Sequence, residues 1–205
     1  MNIRDYRPTD LPYLYDICLR TGDSGKDASS LFSDPYMLGQ YFAAPYAVHD
    51  ARCVLVLEES SNDTSKPVGY ILGTSDTVVF NNWFDQVWRP GAQVLYGQVD
   101  RGSRSDLEAR VRLLFSRSFP PAADLPSWYD DYPGHIHIDL LPEAQGAGWG
   151  RRLMDASCVR LKSLACPGFH LGVGKQNEGG VAFYRRYGME ELESLDWGYY
   201  FGKRL

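Results

Sequence analysis

Apolar and polar positions alternate from the first residues: Met1 to Tyr6 sets Ile3 against Arg4 and Tyr6 against Asp5, which predicts a strand. Thr9 then stands where a helix N-cap is wanted, with Asp10 in the first turn. Leu11, Leu14 and Cys18 follow at helical spacing. Thr21 to Ser30 is polar, carries two glycines and reads as a loop, and Pro35 to Phe42 reads as a second short helix. Arg52 to Glu58 and Pro67 to Ser75 are short apolar runs separated by the polar stretch Glu59 to Lys66, which predicts an antiparallel hairpin.

The interval that follows is long and helical in pattern. Asn81 to Val94 spaces Trp83, Phe84, Val87 and Trp88 for an amphipathic helix. Ser105 to Ser118 places Leu107, Val111, Leu114 and Phe115 on one face, with Arg104, Glu108, Arg110 and Arg112 elsewhere. Ser105 and Glu108 stand at capping-box spacing. Phe119 to Pro133 is a proline-rich loop that includes Trp128, Tyr129, Asp130 and Asp131. Trp83, Trp88 and Trp128 are expected to fill the core of the insertion rather than to wall a cleft.

Next comes His135 to Gly150, a strand pattern that runs directly into a glycine-rich turn and a helix start. The helix over Arg151 to Ala165 turns Leu153, Met154, Cys158 and Leu161 inward and stops at Pro167-Gly168. Phe169 to Val173 is a further strand and Asn177 to Tyr187 a further helix ended by Gly188. Tyr199 and Phe201 mark a last strand.

Composition sets limits on these elements. The 205 residues suffice for one domain with a real core, and 44% apolar with 23% charged is ordinary for a globular chain. A net charge of -5 gives no global basic field, so nucleic acid is not an expected partner. The N-terminus carries no apolar signal core and no run approaches membrane-spanning length, so no membrane partner is expected. Cys18, Cys53, Cys158 and Cys166 form no C-x-x-C pair and have no His cluster beside them, which argues against a zinc site or a disulfide framework. An intracellular, reducing compartment is expected, cytoplasm before nucleus.

Candidate chemistry concentrates in the turn Gln145-Gly146-Ala147-Gly148-Trp149-Gly150. A strand, a glycine turn and a helix N-terminus together aim backbone N–H groups and the positive end of a helix dipole at an anion. No Lys follows to make a P-loop, and the spacing is too short for a dinucleotide fingerprint. A plain strand-to-helix turn is the bland alternative. In the preceding strand, His135, His137 and Asp139 project to one face and Ile136, Ile138 and Leu140 to the other. A central strand with one polar face is unusual, because buried polar groups need partners. That face is either a reactive one or a structural hydrogen-bond network.

Further on, Leu171, Val173, Asn177, Ala182-Phe183-Tyr184 and Gly188-Met189 follow in order. Together, Q-x-x-G-x-G and L-x-V-x-x-x-N-x-x-x-x-A-F-Y-x-x-x-G-M resemble the GNAT superfamily of acyl-CoA-dependent N-acyltransferases. Gln145 stands where that family usually has arginine, and Met189 where it usually has Phe. The long insertion over about residues 76 to 134, with Y-P-x-H-I-H-I-D-L-L-P, looks like the acetyltransferase-like domain of O-GlcNAcases and its free-standing microbial relatives.

The resemblance implies an α/β fold: a mixed, mostly antiparallel sheet, splayed between the strands at His135 and Phe169, with helices on both faces. It implies acetyl-CoA as cofactor. Gln145, Gly146, Ala147, Gly148, Trp149 and Gly150 would hold the pyrophosphate. The backbones of Leu140 and Leu141 would pair with the pantetheine arm, and Asn177 would contact it. Tyr184 would sit near the sulfur and protonate the leaving thiolate, where a core aromatic is the alternative. Asp139 is favoured as general base or ligand of the substrate ammonium, with His137 second. Tyr129, Asp130 and Asp131 would line the acceptor site, or else form a solvated acidic loop. The expected activity is acetyl transfer to a primary amine, a protein lysine or a small cationic amine, by direct attack in a ternary complex. The competing class is an inactive acetyl-CoA-binding or interaction module. The inserted helices are expected either to cap the cleft or to build a homodimer interface.

Overall fold

The computed structural model describes residues 1–61, 64–98 and 102–205. The tip of the predicted Glu59 to Lys66 loop, at 62 and 63, lies outside them. Among the described residues, seven strands form one sheet: β1 (Asn2–Asp5), β2 (Leu55–Ser61), β3 (Thr64–Thr74), β4 (Gly134–Leu140), β5 (Gly168–Gly174), β6 (Glu190–Ser194) and β7 (Gly198–Arg204). Their order is β1-β2-β3-β4-β5-β7-β6, and every neighbouring pair is antiparallel except β4 with β5. That parallel pair holds register only at Gly134 with Phe169 and His135 with His170. Beyond His135 the two strands part, and the sheet opens into a wedge.

The helices are α1 (Leu11–Thr21), α2 (Met37–Phe42), α3 (Ala44–His49), α4 (Thr77–Trp83), α5 (Arg89–Tyr96), α6 (Asp106–Ser116), α7 (Trp149–Ser163) and α8 (Glu178–Tyr187). α1 and α3 lie over the face of β3 and β4 that carries His135, His137 and Asp139. α7 lies over the opposite face, where Gly150 approaches Leu140. The core beneath them is built from side chains such as Leu14, Val56, Leu72, Phe80, Leu153 and Phe201.

Several boundaries differ from the sequence expectation for identifiable reasons. Thr9 does not cap α1. It sits inside a single 3-10 turn (Pro8–Asp10), and the Asp10 carboxylate closes that turn by accepting the Arg7 amide at 2.7 Å. Pro45 opens an additional short helix, α3, directly after α2, as proline does at a first helical turn. The Asn81 to Val94 pattern is carried by α4 and α5, which a π-turn at Phe84–Trp88 joins just before Pro90. Pro90 has no amide hydrogen to continue the ladder. The C-terminal strand is two strands, β6 and β7.

In α6, Ser105 caps by accepting the Glu108 amide at 3.0 Å, as its spacing predicts. Glu108 and Arg112, expected away from the buried face, are themselves buried at 0% and 6% exposure. Glu108 accepts from the Arg112 guanidinium (2.6 Å), the Ser33 hydroxyl and the Arg104 amide, so the charge is fully partnered. These bonds overcome burial and hold its carboxyl at about 2. The Glu108 bonds to Ser33 fasten α6 to the Phe32–Ser33 segment, and Arg104 adds a bond to the Phe32 carbonyl. Leu114, expected inside, is 36% exposed.

Candidate active site

The wedge between β4 and β5 is lined as two adjoining compartments. One, of about 940 Å³, runs past Ile138, Leu140, the glycine turn and the start of α8. The other, of about 410 Å³, is bounded by β4, β5, Phe42 and the α6 residues Leu107, Arg110, Val111 and Leu114. Asp139, Asn177 and Tyr184 line both and mark their junction.

The glycine turn owes its sequence to conformation. Gly146 and Gly148 have φ of +79° and +80°, and a Cβ at either would meet nothing within 4 Å. The left-handed backbone, rather than crowding, therefore demands glycine at both. Gly148 is the N-cap of the fifteen-residue α7, so the first amides of a long helix open onto the larger compartment. The Gln145 side chain turns back to donate to the Leu140 carbonyl at 2.9 Å and so braces the end of β4. Gln145, Gly146, Gly148 and Gly150 line the compartment; Ala147 and Trp149 do not, and Trp149 packs under the Arg152 guanidinium. Lys26, Arg151 and Arg186 add cations that the motif did not reveal.

Strand alternation decides which β4 amides face the wedge. Leu141 donates its amide to the Val68 carbonyl at 2.9 Å and is buried, so it is not available to a ligand; this corrects the expectation for that residue. Amides of successive strand residues point to opposite edges. Those of Leu140 and Ile138 therefore point away from β3, into the gap that β5 vacates.

At the junction, the Asp139 carboxylate accepts the Tyr70 hydroxyl at 2.7 Å. Burial raises its pKa, against the lowering effect of the Tyr70 hydrogen bond. Tyr184 is pushed upward by burial and then by the Asp139 charge, so its hydroxyl keeps its proton at neutral pH. The Asn177 side chain caps α8 by accepting the Gly180 amide at 2.9 Å, and the residue lines both compartments. His137 lines only the smaller compartment, and its Nε2 lies 2.9 Å from the Tyr46 hydroxyl. Burial, then His170, lowers its pKa to about 4.

Tyr129, Asp130 and Asp131 do not line either compartment. Tyr129 stacks on Trp128 and against His170 at the closed end of β5, where burial raises its hydroxyl to about 12. Asp130 is exposed, and Asp131 pairs with Arg204 at 2.7 Å on the outer surface. Trp83 and Trp88 pack together at the junction of α4 and α5, while Trp128 donates to Glu193 and packs on Tyr200. Tyr46, Tyr70 and the α6 wall were not singled out by sequence. No local motif marks them, and their partners lie far away along the chain.

The sequence profile of the acetyltransferase (GNAT) family matches residues 122–189, the span that holds β4, the glycine turn, α7, β5 and α8. The crystal structure of SsHAT is 33% identical and superposes with a TM-score of 0.87, covering 99% of this chain and 97% of that one. Two more distant structures share the fold. Chaetomium thermophilum Naa20 in complex with a bisubstrate analogue is 18% identical with a TM-score of 0.54, covering 100% and 87%. Salmonella typhimurium yncA, solved with its cofactor acetyl-CoA, is 14% identical with a TM-score of 0.51, covering 100% and 94%. Sequence likeness along nearly the whole chain and a sheet that parts beside a glycine-turn helix lead to one conclusion: the protein belongs to the acetyltransferase (GNAT) family.

Proposed function

We propose that the protein transfers an acetyl group from acetyl-CoA to a primary amine, a small amine or a lysine side chain, by direct attack in a ternary complex. The observation that carries this reading is the junction of the two compartments, where Asp139 and Tyr184 meet the unpaired edge of β4.

The larger compartment suits acetyl-CoA. The α7 N-terminus, its left-handed glycines, and Lys26, Arg151 and Arg186 supply positive potential for a pyrophosphate. Ile138 and Leu140 offer the backbone edge on which an extended pantetheine arm adds like a strand. An amide there, directed at the thioester oxygen, stabilises the charge that develops on attack; losing such a donor typically costs roughly 3–4 kcal/mol. The bound structures of yncA and Naa20 support the assignment, the first through its acetyl-CoA and the second through its bisubstrate analogue.

The smaller compartment takes the acceptor. The amine nitrogen attacks the thioester carbon, the C–S bond breaks, and the amine proton passes to the Asp139 carboxylate. Tyr184 gives its hydroxyl proton to the thiolate and regains one from Asp139 through solvent. The raised pKa of Asp139 suits a base near neutral pH, and that of Tyr184 keeps its proton in place until the thiolate forms. With Asp130 and Asp131 outside, Asp139 is the carboxylate lining the compartment, and Arg110 stands opposite on α6.

Titration calorimetry with acetyl-CoA, followed by thiol release over a panel of primary amines, tests this reading. Binding with amine-dependent release is expected. Binding without release from any amine would reassign the protein as a binding module, and no binding would overturn the site.

A further inference from the structure

His135 and His137 are joined by hydrogen bonds whose donors can be assigned one after another, starting from a carbonyl that can only accept. The Thr77 hydroxyl lies 2.6 Å from the Pro133 carbonyl and 2.9 Å from His135 Nδ1. A hydroxyl has one proton, and the 2.6 Å contact to a carbonyl requires it there. Thr77 therefore accepts from His135, and the proton of that ring is on Nδ1. The bare His135 Nε2, 2.8 Å from the Tyr46 hydroxyl, takes the single tyrosine proton. Tyr46 then has only lone pairs for His137, whose Nε2 must donate across the 2.9 Å contact.

Both rings are neutral. His135 is buried, its ring centroid lies 6.0 Å from that of His137 and 5.7 Å from that of His170, and no carboxylate bonds His135 or His137 among the described residues. His135 is driven well below its ordinary pKa by burial and by the other two rings.

We infer that the chain Thr77–His135–Tyr46–His137 is a tautomer lock, in which Tyr46 and Thr77 are positioning residues that keep the His137 Nδ1 lone pair directed at an N–H of the bound amine. The inference rests on the acetyl-transfer reading for the amine and on geometry alone for the lock. Among the described residues, the buried side-chain polar atoms without a partner are Arg89 Nη2 and Arg112 Nε. The unpartnered His137 Nδ1 is therefore open rather than sealed, and the compartment that His137 lines is the one assigned to the acceptor. A ring that accepts from the amine holds its nitrogen lone pair toward the thioester, while Asp139, one strand repeat along, takes the proton. Free imidazole exchanges its proton between both nitrogens, and the lock removes the tautomer that would oppose an N–H with another N–H.

Long-range proton–nitrogen correlation spectra of the imidazoles of the whole protein at neutral pH read the lock without any turnover. The expected result is His135 protonated at Nδ1 and His137 at Nε2, with His137 Nδ1 at the shift of a bare nitrogen. In Tyr46→Phe, His137 should become a mixture of tautomers, and the amine KM should rise about tenfold with a smaller change in kcat. Thr77→Val should mix the His135 tautomers, and Thr77→Ser should restore them. A wild-type His137 protonated at Nδ1, or a Tyr46→Phe protein with unchanged tautomers and amine KM, would overturn the inference. Failure of the acetyl-transfer reading is seen separately, as absent thiol release beside an intact tautomer pattern.

Discussion

Tyr184 shows how one side chain acquires its role from where its helix lies. It stands on α8 at the seam of the two compartments, and burial with the nearby Asp139 charge keeps its hydroxyl protonated. Tyr184→Phe removes only that hydroxyl. A loss of roughly 10²-fold in kcat is expected from steady-state thiol release, with acetyl-CoA affinity unchanged by calorimetry. A drop in affinity equal to the drop in kcat would assign Tyr184 to binding instead. At this scale the side-chain pattern of β4 was legible, because strand alternation alone puts His135, His137 and Asp139 together. Their partners were not: Tyr70 lies 69 residues from Asp139 and Tyr46 lies 91 from His137. The Leu141 amide was misassigned for a related reason. The direction of a backbone N–H depends on which neighbouring strand claims it, and Val68 does so here.

Among elements, the glycine turn and α6 invite different tests. A Cβ at Gly148 has room but forces a left-handed residue, at a cost of roughly 1–2 kcal/mol. Gly148→Ala should therefore weaken acetyl-CoA binding by about tenfold in calorimetry while leaving the fold intact. In α6, Glu108→Ala strands the buried Arg112 guanidinium, already short of a partner at Nε. Removing one member of a buried pair costs about 3–5 kcal/mol, to be read as a lower urea midpoint. The same change should loosen the wall made by Leu107, Arg110 and Val111 and raise the amine KM. The strand, turn and helix order was legible because glycines, prolines and apolar periodicity mark it locally. The burial of Glu108 was not, since a charged residue on an amphipathic helix reads as solvated until Ser33 and Arg104 are seen to meet it. The π-turn and the paired β6 and β7 likewise depend on packing rather than on local pattern.

The whole molecule couples its site to its acid stability. His135, His137 and His170 have folded-state pKa values below the ordinary 6.5, with His137 and His170 at about 4. Between those limits the unfolded chain binds more protons than the folded one, so stability rises with pH. Their contribution is complete above about 6.5 and is lost as pH falls towards about 4. Glu108 adds a loss lower down, between its ordinary 4.5 and about 2. Asp139, raised on folding, acts in the opposite sense but is one group against four, since burial lowers His49 as well. Urea midpoints should therefore drop steadily from pH 7 to pH 4, and His137→Gln should flatten the upper part of that slope.

The wedge, the splayed β4 edge and the helix N-terminus meet at Asp139, so the most direct measurement is thiol release by wild type and Asp139→Asn, using whichever panel amine turns over fastest. The variant should bind acetyl-CoA with the wild-type affinity and lose at least about 10²-fold in kcat. Equal rates for the two proteins, or no amine-dependent release by the wild type, would rule out Asp139 as the base.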